Sequence, residues 1–198
     1  MDNFMKGEYK MKLLGVVELS LERVGKQSLT VTIASLLFLF SLHTLLVRAW
    51  PFHCKWTDLL LGIGAYVVLI ILHEIFHLIG FFIFGRVRWS EMEMGIRWDL
   101  GVAYATPKKW LTNRQMKRAL LLPLLMTGII PALYGLLTSN GLFLTTGALL
   151  IGGAVGDLVM YWQLRSFPEE AVVRDDPEFP RLFVYSPHSS NEGNTYDL

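Results

Sequence analysis

Two histidines and a glutamate stand together in the stretch His73-Glu74-Ile75-Phe76-His77. On a helix, residues four apart lie one turn above each other on the same face. Both imidazoles can therefore reach one zinc ion, and the glutamate beside the first can act as general base on a zinc-bound water. Chance rarely assembles this pattern in a chain of such size, and ionisable groups inside an apolar run are costly unless they serve a purpose. The motif speaks strongly for a metal and less specifically for peptide hydrolysis.

Catalytic zinc sites use three protein ligands and leave one position for water. Asp157 is the expected third ligand. It is an isolated acid in the apolar, glycine-rich run around Gly152, Gly153 and Gly156, where a carboxylate calls for a cation. A salt bridge or a hydrogen-bonded packing role, with Arg165 as partner, is the alternative. Glu91 and Glu93 compete as ligands, following the motif at a distance that some soluble zinc peptidases use. Both fall on the polar face of a predicted strand and reach solvent unaided. His43, near the end of the first apolar run, reads as a packing or interfacial residue. The expected site is thus His73, His77 and Asp157 on zinc, with Glu74 as the catalytic base. Glu74 would take the proton of the water, hydroxide would attack a peptide carbonyl, and Glu74 would pass the proton to the leaving amine. Asn113, Arg114 and Tyr104 are available as oxyanion donors, and no specific signal chooses among them.

These groups need elements to hold them. The chain has 198 residues, 53% of them apolar, with positive mean hydropathy. A soluble domain of this length would be less apolar and would break its apolar runs sooner. Four runs are long enough to cross a bilayer, at about 29–47, 57–84, 119–138 and 142–164. The expected architecture is an all-α membrane protein with four transmembrane helices over residues 28–165. Pro123 and Pro131 favour kinks in the third span. Gly62, Gly64 and Gly80 in the second span, and Gly152, Gly153 and Gly156 in the fourth, offer close helix contacts. Trp50-Pro51 reads as an interfacial aromatic followed by a helix breaker.

Residues 1–27 alternate charge with apolar positions. Leu13, Leu14, Val17, Leu21 and Val24 recur at helical spacing, which fits either a helix lying on the membrane surface or a loosely ordered cytoplasmic tail. A cleaved signal peptide does not fit, because the polar segment is too long and no small-residue cleavage site follows the first run. The connection after the second span contains a two-residue period from Met92 to Tyr104, with a plausible reversal at Asp99–Gly101. It predicts a small β-hairpin at about 90–105, which would serve as a substrate-binding edge or as a structural flap or anchor. Thr112-Asn113-Arg114-Gln115 is a capping box opening the third span. Residues 166–198 form a polar tail whose last dozen residues look disordered, although Phe179 to Tyr185 offers a docking patch. The lone cysteine, Cys54, excludes an internal disulfide. The net charge of +1 gives no electrostatic case for nucleic acid.

Basic residues gather in the first polar segment and in the connection after the second span. The positive-inside rule therefore places both termini and the hairpin in the cytoplasm of a multi-pass cell-membrane protein. At 1.5 Å per residue, His73 and His77 lie roughly 10–17 Å from the cytoplasmic end of the second span, and Asp157 lies roughly 10 Å from that of the fourth. The two depths overlap, so packed helices can bring the three side chains to one ion.

His73-Glu74-x-x-His77 in the second of four spans, the following hairpin, Pro123 in the third span and Gly156-Asp157-Leu158 in the fourth resemble a family of bacterial integral-membrane proteins described as putative zincin peptidases. The tail from Phe167-Pro168 to Asp175-Asp176-Pro177 is similar to theirs as well. More distantly, the chain resembles the site-2 intramembrane metalloproteases. These resemblances imply zinc on His73, His77 and Asp157 and Glu74 as base. Val155-Gly156 stands where the site-2 pattern has an Asn-Pro pair, so the substrate contacts of those enzymes do not carry over. The expected function is a zinc-dependent membrane endopeptidase cutting membrane-protein or peptide substrates near the cytoplasmic face. A non-catalytic zinc-binding membrane protein, either a degenerate scaffold or a metal carrier, is the alternative.

Overall fold

In the computed structural model, which describes residues 11–48, 56–98, 101–176 and 179–189, the apolar runs are helical. Helix α1 covers Leu21–Val47, α2 Trp56–Gly85, α3 Asn113–Pro123, α4 Ile130–Thr138, α5 Gly141–Gly153 and α6 Val155–Leu164. Their outward faces stay apolar and uncovered: Leu37 is 65% exposed and Leu60 71%. Exposed apolar stripes of that size mark surfaces that meet lipid or another protein. Three stretches are long and apolar enough to cross a membrane, Leu21–Val47, Leu60–Gly85 and Asn113–Thr138. A fourth exists if α5 and α6 are taken together as one bent span.

The last two spans depart from straight helices. Asn113–Thr138 comprises α3, a π-helical turn over Leu124–Ile129 and α4. The Thr112–Gln115 capping box opens α3: the Gln115 N–H donates to Thr112 Oγ1, and the Thr112 N–H donates to Gln115 Oε1. Pro123 closes α3 and Pro131 sits in the first turn of α4, so the irregular turn lies between the two prolines. The run expected as one fourth helix is bent by 41° at Ala154. Three glycines within five residues weaken the helix there. The break leaves Asp157 in the first turn of α6, the end of a helix that favours negative charge.

The expectation of helices with one small hairpin needs extension, because a four-stranded antiparallel sheet is present beside the hairpin. Strands β2 (Met92–Arg97) and β3 (Val102–Pro107) pair as a hairpin around the reversal. The pairing sets Gly95 opposite Tyr104 and Arg97 opposite Val102. Directly opposed residues share a face, so Tyr104 lies on the polar face with Gly95 rather than on the apolar one expected from an unbroken two-residue period. The turn exchanges even for odd positions. The second sheet has four strands in the order β1-β6-β5-β4, built from β1 (Met11–Glu18), β4 (Leu111–Thr112), β5 (Val172–Asp175) and β6 (Arg181–Ser189).

Two expectations therefore change. Residues 11–18 are a strand and not part of a surface helix, and α1 starts at Leu21 instead of Leu29. Among its described residues the tail forms β5 and β6 and docks through them. Both follow from tertiary pairing, since β1 has its partner more than 160 residues away in β6. The core under this sheet joins Val17, Leu111, Val173, Leu182 and Val184 to Phe81, Met116, Ala119, Leu120 and Leu164 of the helices. Trp50-Pro51, Cys54 and the last nine residues lie outside the described residues.

Candidate metal centre

Helix α2 carries His73 and His77 on adjacent turns, both buried. Their rings meet edge to face with centroids 5.1 Å apart. Helix α6 brings Asp157 against them. His73 Nε2 lies 3.1 Å from Asp157 Oδ2, and His77 Nε2 lies 3.3 Å from Asp157 Oδ1. One ligating atom from each residue falls within 4.8 Å of the others. Zinc bonds of about 2.0–2.1 Å in a tetrahedron hold donor atoms roughly 3.3 Å apart. The two nitrogen–oxygen separations are those of neighbouring corners of such a tetrahedron, and the donor types are those zinc takes. The residues present fit the metal.

The position of the helices explains the convergence. A Cβ on Gly80 would stand 2.8 Å from the Cα of Ala119, so α2 and α3 touch backbone to backbone one turn beyond His77. Phe81 stacks near His77, with centroids 6.3 Å apart, and is itself buried. Thr127, in the π-helical turn, lies behind the other imidazole, with Oγ1 3.3 Å from His73 Nδ1.

A cavity of about 380 Å³ opens onto the cluster. Glu74 lines it beside His73, His77 and Asp157. Residues Ala103 to Thr106 of β3 form one wall, and the β5–β6 turn with Asp175 and Leu182 forms another. Thr106 hydrogen-bonds the Asp175 side chain, and burial pushes the Asp175 carboxyl up to about 6.

Other expected candidates lie elsewhere. Glu91 accepts from the Arg88 N–H at the short helical turn before β2, and Glu93 pairs with Lys108 at 3.1 Å. Arg165 sits over the Trp162 ring, 4.4 Å from its centroid, and is not the partner of Asp157. His43 is fully buried and takes no part in the cluster. Among the three oxyanion candidates, Asn113 and Arg114 are spent on structure. The Asn113 side-chain amide donates to the carbonyls of Leu164, Phe167 and Pro168, and Arg114 pairs with Glu169. Tyr104 lines the metal cavity. Sequence reasoning assigns no site role to Thr127, Thr106 or Asp175, although Asp175 belongs to the family-like tail segment. Thr127 carries one faint signal, a hydroxyl one turn after a proline inside a span. The two others show none, because hairpin and tail meet only in the fold.

A protein-family model described as putative zincin peptidase matches residues 66–172, more than half of the chain. The matched stretch runs from Tyr66 in α2 to Val172 at the start of β5 and includes all four site residues. No curated protein and no solved structure matches the chain.

Proposed function

Because the chain belongs to the putative zincin peptidase family, we propose that it is a zinc-dependent integral-membrane endopeptidase. It hydrolyses peptide bonds near the cytoplasmic membrane face. The observation that carries this reading is the convergence of His73, His77 and Asp157 at donor-atom separations suited to zinc, with Glu74 in the same cavity. Bound zinc would supply Lewis-acid chemistry, acidifying water and polarising a carbonyl. The Glu74 carboxylate takes the proton of the attacking water and returns it to the leaving nitrogen. His73, His77 and Asp157 would hold the ion, and the cavity they line with Glu74 has room for water and substrate.

The substrate enters as an extended chain, since a helix hides its peptide bonds. Among the described residues β3 pairs only with β2, so its second edge has backbone groups available to a further strand. That edge belongs to the wall formed by Ala103 to Thr106. The basic residues of the first segment and of the connection after α2 support a cytoplasmic position for hairpin and termini.

The test is Glu74→Gln in purified, detergent-solubilised protein against a panel of extended peptides and membrane-protein segments. Turnover should fall roughly 10²–10⁴-fold while bound zinc per chain is unchanged. Equal turnover by both proteins rejects the peptidase reading.

A further inference from the structure

Thr127 is buried to 1% exposure in the π-helical turn and has two polar neighbours. Its Oγ1 lies 2.8 Å from the Pro123 carbonyl and 3.3 Å from His73 Nδ1. A threonine hydroxyl has one hydrogen and two lone pairs. The Pro123 carbonyl has no hydrogen to give, so the hydroxyl donates to it. Toward His73 the hydroxyl can then only accept, and His73 must present Nδ1–H. A neutral imidazole carrying its proton on Nδ1 has its lone pair on Nε2. That lone pair faces Asp157 Oδ2 at 3.1 Å, and a metal cation or a proton between the two atoms relieves the repulsion of two acceptors.

We infer that Thr127 is the positioning residue of the metal centre: anchored by the Pro123 carbonyl, its hydroxyl holds His73 as the Nδ1–H tautomer, with Nε2 turned toward the ion. The inference rests on the metal reading above and adds to it the group that orients the first ligand. The π-helical turn is what aims Thr127. An extra residue in one turn rotates the following side chains relative to a regular helix, and such turns commonly mark functional sites. His77 is supported differently, through the Ala119 backbone of α3, so Thr127 acts on His73 alone. Partners of this kind behind a metal-bound histidine change metal affinity by about 10–100-fold when removed.

The test compares Thr127→Val, which keeps the shape and loses the hydroxyl, with Thr127→Ser, which keeps the hydroxyl. Zinc affinity is measured on the full chain in detergent by competition with a chelator, and thermal unfolding checks that each variant folds. Thr127→Val should weaken zinc binding about 10–100-fold, and Thr127→Ser should stay near wild type. Nitrogen-15 spectra of histidine-labelled, zinc-loaded protein should show the His73 Nδ1–H signal in wild type and Thr127→Ser, and its loss or shift in Thr127→Val. If Thr127→Val does not fold, Thr127→Ala replaces it with the same expectation. Unchanged affinity in the hydroxyl-free variant overturns the inference and leaves the peptidase reading intact. An equal loss in Thr127→Ser overturns it too, because packing would then be the cause. A wild type that binds no zinc removes the metal reading and this inference together.

Discussion

His77 and Asp157 face each other at 3.3 Å although 80 residues apart in sequence, and each is one of the three donors of the proposed metal site. Zinc sites need all of them, because two ligands leave the ion to water. Asp157→Ala and His77→Ala should each take the zinc content from about one per chain to near zero, as read by metal analysis of the purified proteins. Asp175 makes a different prediction. Its carboxyl is raised from 3.8 to about 6, chiefly by burial. An acid with a raised folded value binds its proton more tightly folded than unfolded. The charged form therefore penalises the fold fully above about pH 6, and the penalty fades as pH falls toward 3.8. Asp175→Asn should raise the unfolding temperature at pH 8, with the gain shrinking toward pH 4, as thermal scans across that range will show.

At the scale of elements, the site depends on how closely helices approach. Gly80 is the contact that seats α2 on α3, and even a methyl there meets the Ala119 backbone. Gly64, two helical turns before His73, has nothing within 4 Å of the same built position. Gly80→Ala should cost about 1–3 kcal/mol by overpacking and weaken zinc binding through displacement of His77. Gly64→Ala should be neutral or stabilise by up to about 1 kcal/mol through helix propensity. Thermal unfolding of the pair separates packing from propensity. The 41° bend at Ala154 acts on the opposite side of the site, making Asp157 a first-turn residue of a new helix rather than the middle of a long one.

Across the whole molecule, the two ends of the chain close over the helices as one sheet. Strand β1 runs against β6 from Met11 to Glu18, and β5 links β6 to the short β4 that leads into α3. The Asn113 amide ties this layer to the end of α6 through three backbone carbonyls. The tail is therefore structural. A chain ending at Glu170 loses β5 and β6, uncovers Val17 and Leu111, and leaves β1 without a partner. It should unfold at a lower temperature and expose residues 11–18 to protease, whereas the intact chain protects them. Limited proteolysis followed by mass spectrometry reads this out.

Local chemistry was legible from residue order alone. The His73–His77 spacing follows from helical geometry, the helical runs from uninterrupted apolar sequence, and the Thr112–Gln115 cap from side-chain reach over three residues. Asp157 stood out because an isolated acid in an apolar run needs a partner. Everything that depends on distant pairing was invisible. Leu13, Leu14 and Val17 suit a helix until β6 offers them a ladder, and the face on which Tyr104 falls depends on how many residues the hairpin turn uses. Thr127 meets His73 only because a π-helical turn rotates it there. A single chain records its own periodicities, but which partner each face meets is decided by packing, and packing brought Thr127, Asp157 and the two imidazoles to one point.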